Sequence, residues 1–256
     1  MSQLTLTERH QYILGKLKKE GSVKVVDLCD ALNVSSVTIR KDLKQLEDRE
    51  LLFRTHGGGT ITDPYTADRP VNEKAQIRSG EKSSIGEAAA RMIEPNDCIL
   101  IASGTTVLSL AKNIEPKGQL TVITAALNVA MELVHHPGIE VIQLPGQIRK
   151  TSSSATGMYA EKMLEDFSCS KLFLGVDGID VEFGLTTTNM MEAQLNKKMI
   201  AASQKTIVLA DSSKFGKRGF GRICGLEDIE QVITDQNISE HMVETLKGLG
   251  IEVTIV

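Results

Sequence analysis

The interval between apolar residues changes along the chain. Over the first sixty residues they recur at three and four, the helical spacing. Ile13 and Leu17 mark residues 7–20; Val25, Leu28, Cys29 and Leu32 mark residues 25–32; Ile39, Leu43 and Leu46 mark a third run. Gly21 stops the first run, and Asn33-Val34 makes a tight turn before the third. Next, Leu51-Leu52-Phe53-Arg54 and Thr60-Ile61 flank His56-Gly57-Gly58-Gly59, the pattern of a hairpin around a glycine-rich turn. A polar stretch with Pro64 and Pro70 reads as a linker, and Ile85, Ala88, Ala89 and Met92 begin a new apolar stripe. Beyond it the pattern becomes short and almost wholly apolar at 98–102, 120–124, 141–144, 171–175, 206–210, 231–234 and 252–256. Helical stretches at 106–113, 127–135, 159–167, 190–203 and 239–248 fall between most of these strands. That alternation predicts a mostly parallel α/β sheet buried on both faces. The expected parts are residues 1–61, a linker over 62–80, and an α/β domain over 81–256.

The third helix carries chemistry on its outer face. Ser36, Arg40 and Lys44 share one side, with Val37 and Lys41 beside them. Cations suit phosphates and guanine edges, hydroxyls suit either, and an aliphatic group suits a thymine methyl. Ser35 is a good N-cap, with Thr38 in the first turn, and would aim the helix's orphan N–H groups at a phosphate. By itself this face also fits an ordinary solvated surface. The helix, short helix, turn and helix before and through it match the helix-turn-helix plan, in which the last helix lies in the major groove. The hairpin then reads as a wing, with Arg54 and His56 placed to touch the neighbouring backbone.

Charge and composition narrow the picture. The net charge is −4, against a protein that coats nucleic acid indiscriminately. Residues 1–56 carry 10 Lys/Arg and 8 Asp/Glu, a net of +2, and the remainder carries −6. With no Trp and 4% aromatic residues, aliphatic side chains must do the packing. Cys29, Cys98, Cys169 and Cys224 form no CxxC pair, so buried thiols in a reducing cytoplasm are expected, without a metal or cofactor. The polar start and the lack of a long apolar run predict neither leader nor membrane anchor.

Ligands of parallel sheets bind beyond the carboxyl ends of the strands. Those ends lead here into Ser103-Gly104-Thr105-Thr106, Ala125-Ala126-Leu127-Asn128, Pro145 to Thr151 with Arg149 and Lys150, Asp177-Gly178-Ile179-Asp180, and Asp211 to Gly216 with Lys214. A phosphorylated polyol would use this set. Ser103 to Thr106 open a helix and would cradle a phosphate, Lys214 with Arg149 or Lys150 would neutralise it, and Asp177, Asp180 and Asn128 would take hydroxyls. Glu192 belongs to the site only if it points inward; caps, turns and solvated loops are the plain alternative for each piece.

Arg9, Ile13 and Leu17, then Ser35, Thr38 to Leu43, and the Arg54 to Gly58 segment closely resemble the DeoR family of bacterial transcriptional regulators. The segments CILIASGTT, LPGQIR, GVDGID with GLT behind it, and VLADSSKFG resemble the effector domain of the same family, so the likeness covers nearly the whole chain. It implies a winged helix-turn-helix domain followed by an α/β domain related in fold to ribose-5-phosphate isomerase and sugar-phosphate deaminases. It also implies double-stranded operator DNA and a phosphorylated sugar, or a similar phosphorylated intermediate, as partners, and repression more often than activation; with so mild a positive charge on the DNA-binding part, two copies in a homo-oligomer are expected. Two departures stand out: Thr124-Ala125-Ala126 where members often carry Thr-Asn-Asn, and Pro145-Gly146 in place of a Gly-Gly pair. The isomerases also place a Lys-Gly pair after their acidic residues, where this chain reads Gly184-Leu185-Thr186-Thr187-Thr188. That loss argues for binding without catalysis. An enzyme with an appended DNA-binding domain is the alternative.

Overall fold

The structure, a computed structural model, describes residues 5–49, 51–55, 57–60 and 70–256. The chain divides into an N-terminal unit, residues 1–67, and a C-terminal unit, residues 68–256.

In the N-terminal unit, α1 (Leu6–Glu20) starts with a capping box between Thr5 and Glu8 and stops at Gly21, whose φ of 76° suits glycine. A short strand, β1 (Ser22–Lys24), leads into α2 (Val25–Leu32), which Asn33 ends in the left-handed conformation. The third helix, α3 (Ser36–Asp48), is capped by the Ser35 hydroxyl, which accepts from the Thr38 N–H at 3.2 Å. The strands β2 (Phe53–Thr55) and β3 (Gly58–Thr60) complete a three-stranded antiparallel sheet in the order β1-β3-β2. Ten buried apolar residues, among them Ile13, Leu17, Leu28, Ile39, Leu43 and Leu46, form its core. The helical spacing predicted each of these six. It did not predict β1, because three residues with one apolar member leave no alternation to read.

The C-terminal unit opens with α4 (Val71–Gln76) and α5 (Ser79–Ala90), so most of 70–80, expected as linker, is helical. There follow β4 (Cys98–Ile101), α6 (Thr105–Lys112), β5 (Leu120–Thr124), α7 (Leu127–Leu133) and β6 (Ile139–Gln143). The chain then makes β7 (Gln147–Arg149), β8 (Ser154–Thr156), α8 (Met158–Met163), β9 (Lys171–Gly175), β10 (Gly178–Asp180) and β11 (Gly184–Thr187). Last come α9 (Met190–Ala201), β12 (Thr206–Leu209), β13 (Gly221–Cys224), β14 (Gln231–Thr234), α10 (Glu240–Gly248) and β15 (Glu252–Ile255).

Seven strands form one sheet in the order β15-β14-β12-β9-β4-β5-β6. Every neighbouring pair in it is parallel. All strand carboxyl ends therefore share one rim. Alternate residues of a strand feed opposite faces: Leu100 belongs to one apolar cluster, and Ile99 and Ile101 to the other. Two additions decorate the sheet, the β7–β8 hairpin and a small antiparallel sheet β10-β11-β13. Neither was expected, since three- and four-residue strands rich in Gly, Ser and Thr lack an apolar period. Among the described residues no helix is long and apolar enough to cross a membrane.

Candidate functional site

A cleft opens on the rim of the parallel sheet. Ser103, Gly104, Thr105 and Thr106 form one wall, Asp177 and Thr187 another, and Glu192 and Asn196 a third. Glu192 and Asn196 lie four apart on α9, hence on one face of that helix. Lys214 reaches in from the loop after β12, and Lys74 and Lys82 from α4 and α5. At the start of α6, Gly104 occupies the N-cap with φ 138°, and no side chain caps the helix. Its first N–H groups are thus left for another acceptor, with the positive end of the helix dipole behind them.

Ion pairs organise the cleft. Asp177 Oδ1 accepts from Lys74 Nζ at 2.8 Å and lies 3.9 Å from Lys214 Nζ. Its Oδ2 accepts from the Thr187 hydroxyl at 3.1 Å and the Thr188 N–H at 3.3 Å. Burial pushes the Asp177 carboxyl up, but Lys74, Lys214 and these bonds outweigh it and hold the group below its usual range. Glu192 Oε2 meets Arg149 Nη1 at 2.6 Å, while its Oε1 accepts from Ser154 at 3.1 Å and Ser103 at 3.3 Å. Lys82 donates to the carbonyls of Lys74 and Ile77. Burial lowers its pKa to about 8, partly opposed by Asp211.

Of the residues singled out in the sequence, Ser103, Gly104, Thr105, Thr106, Asp177, Glu192 and Lys214 line the cleft together. Arg149 stands behind Glu192 as its partner. Three others stand apart from the lining. Asp180 accepts from Arg218 at 2.9 Å and from the N–H groups of Glu182 and Phe183, closing the β10–β11 turn. It follows Asp177 by three residues of mainly extended chain, an odd spacing that turns the two side chains opposite ways. Asn128 bonds the N–H of Val129 in the first turn of α7. Lys150 is exposed beyond the end of β7. Lys74, Lys82 and Asn196 also line the cleft, without a signal in the sequence that sets them apart. The two lysines sit at the edge of a polar, proline-bearing stretch, where nothing in the pattern of residues separates them from solvated charge. The described residues include no cluster of three or more His, Cys, Asp or Glu suited to a metal.

The outer face of α3 is as open as its inner face is closed. Ser35, Val37, Arg40, Lys41 and Lys44 are exposed, with Ser36 and Thr38 half-buried, while Ile39, Leu43 and Leu46 are buried. Val37, 70% exposed, is an aliphatic side chain presented to solvent. Arg40 reaches the Ser36 hydroxyl at 3.4 Å, and Lys44 is held by Asp48 at 2.8 Å. Arg54 leans on Glu47, which also accepts from the Arg54 N–H at 3.2 Å and so ties the hairpin to α3. His56 lies outside the described residues. On the inner face Asp42, a charge among apolar neighbours, is clamped by Arg9 through Nε at 2.7 Å and Nη2 at 3.0 Å. This fork fixes α1 across α3, and the bond to Asp42 raises the Arg9 pKa further.

Comparison with known proteins covers both units. The model of the DeoR-like helix-turn-helix domain matches residues 9–64, and that of the DeoR C-terminal sensor domain matches residues 77–236. A protein of Escherichia coli O157:H7, provisionally named as the aga operon transcriptional repressor, is 35% identical over 98% of this chain and 94% of its own. The uncharacterised HTH-type regulator YulB of Bacillus subtilis is 35% identical over 99% of this chain and 98% of its own. The transcriptional repressor AccR of Agrobacterium fabrum is 32% identical over 93% of each. A ribose 5-phosphate isomerase from Methanocaldococcus jannaschii superposes with a TM-score of 0.38 at 14% identity, over 52% of this chain and 53% of that one. That likeness is too distant to carry isomerase chemistry across. With a DeoR-like helix-turn-helix domain followed by a DeoR sensor domain over most of its length, the chain belongs to the DeoR family of transcriptional regulators.

Proposed function

We propose that this regulator represses a carbohydrate-utilisation operon and is released from double-stranded operator DNA by a phosphorylated sugar. The observation that carries the effector class is the convergence of Lys74, Lys82 and Lys214 on a cleft that also holds the uncapped start of α6. A phosphate monoester brings close to two negative charges at neutral pH, and oriented N–H groups with nearby cations are what it binds. Asp177, Asn196 and the hydroxyls of Ser103 and Thr187 are acceptors and donors for a polyol. On the DNA side, Arg40 and Lys41 project from α3 to read bases or phosphates, Val37 meets a thymine methyl, and Ser35, Ser36 and Thr38 bond the backbone at the helix start. Lys44, Arg54 and His56 add backbone contacts at the flanks.

A single reading head of this size makes few phosphate contacts, so the working form is a homo-oligomer that sets two heads on successive major-groove faces, about 34 Å apart for half-sites one turn apart. The effector favours an arrangement that misses that spacing. The regulator acts in the cytoplasm, where the operator is. We further propose that the cleft binds without turnover and needs no cofactor: Glu192, the carboxylate best placed to move a proton, is tied by Arg149 and two serine hydroxyls. Incubation with pentose and hexose phosphates, followed by NMR, would expose isomerisation or deamination if that is wrong.

The principal test is retention of promoter fragments from the source genome at low salt, then elution with a panel of sugar phosphates. One fragment and one phosphate ester are expected to emerge, and Lys214→Ala should retain the fragment while resisting elution. Failure of the protein to hold any fragment would overturn the proposal.

A further inference from the structure

The effector cleft is not built from rim loops alone. We infer that Lys74 of α4 is a shared cation, held by Asp177 when the cleft is empty and by the effector's phosphate when it is filled, so that α4 moves with occupancy. The inference rests on the phosphorylated-ligand reading above and adds to it the part that senses.

α4 depends on the cleft for its fastening. At six residues it is too short to be stable unaided. Three polar contacts fix it: the Val71 N–H donates to the Thr151 carbonyl at 2.6 Å, Lys74 donates to Asp177, and Lys82 donates to the carbonyls of Lys74 and Ile77 at its end. Thr151, Asp177 and Lys82 all line the cleft. Every one of these fastenings therefore ends on a residue that a ligand would touch. Asp177 has Lys214 at 3.9 Å and the Thr187 and Thr188 donors besides, so it keeps partners when Lys74 leaves. A dianion arriving beside Lys74 and Lys82 offers the ammonium groups more charge than one carboxylate does. Chain order supplies the consequence. The strand β3 ends at Thr60, and α4 is the next described element along the chain.

The test uses the full-length protein, with inorganic phosphate and a panel of pentose and hexose monophosphates as probes. Affinity is measured by titration calorimetry, and hydrogen exchange is followed over residues 71–77. In the wild-type protein a bound ester should slow exchange over 71–77 several-fold. Lys74→Met should weaken the ester roughly tenfold, the loss of one charge-assisted hydrogen bond, and abolish the exchange response. Lys74→Arg should restore much of both, and its native far-UV spectrum guards against misfolding as the cause. Wild-type binding with unchanged exchange over 71–77, or Lys74→Met binding as tightly as wild type, would overturn the shared-cation inference and leave the phosphorylated-ligand reading standing. No binding of any probe by wild type would overturn both.

Discussion

Arg40, Asp42 and Lys82 show how differently three charged residues behave once their surroundings are fixed. Arg40 is exposed on the outer face of α3 and reaches only a serine hydroxyl of its own helix. If it reads a guanine, Arg40→Ala should cost about 1–3 kcal/mol of operator affinity in a gel-shift titration and leave ester binding untouched. Asp42, two residues further on and on the opposite face of the same helix, is buried and pinned by Arg9. Asp42→Ala should lower the stability of the N-terminal unit by about 3 kcal/mol in urea melts, since it removes the two-bond fork that fixes α1 across α3. Lys82 is a cation that burial holds at a pKa of about 8. A group lowered from its unfolded value is less protonated in the folded state, so this residue's cost to folding is full below pH 8 and fades between about pH 8 and the ordinary lysine range. An anionic ligand favours the charged form. Ester affinity should therefore fall as pH rises through 8, with proton uptake visible as a buffer-dependent heat of binding. A flat profile from pH 7 to 9.5 would mean that Lys82 does not face the phosphate.

At the scale of elements, legibility followed the length of the pattern. The helices of the N-terminal unit could be read because each has a repeated apolar face, with Gly21 ending α1 and Ser35 capping α3. The seven parallel strands were legible as apolar runs, and their order of loops pointed to the rim. What escaped was short. β1 owes its place to β3, where a Cβ on Gly58 would sit 1.8 Å from the Val23 carbonyl oxygen, so only a glycine lets the strands meet. β7, β8, β10 and β11 are three or four residues long with no apolar period, and β11 also pairs with the distant β13. Asp180 takes the plain turn role instead, accepting from the Glu182 and Phe183 N–H groups in the β10–β11 turn. The packing of α5 on α6 supplies a test of how the start of α6 is held at the cleft. A Cβ on Gly86 would lie 2.6 Å from the Leu110 N and from the Ser109 carbonyl carbon, so the two helices touch backbone to backbone. Gly86→Ala should push them apart, costing about 1–3 kcal/mol of stability in denaturant melts. It should also weaken ester binding, because the N-terminus of α6 is part of the cleft.

For the whole molecule the proposed function makes the two binding events linked. Whatever factor the ester takes from operator affinity, operator DNA must take from ester affinity. Titrating the ester with and without a saturating operator duplex should therefore give the same ratio as titrating the duplex with and without saturating ester. Unequal ratios would show that the two ligands do not share one equilibrium. The composition of the cores adds a further consequence. The ten side chains that hold the N-terminal unit together all lie between Ile13 and Leu52, and the two clusters flanking the large sheet draw on none of them. A protease that nicks the connecting stretch would then leave a sensor with its interior intact but no grip on the chromosome. Such fragments would soak up inducer without answering to it, and a cell that accumulated them would need more sugar to switch the operon on.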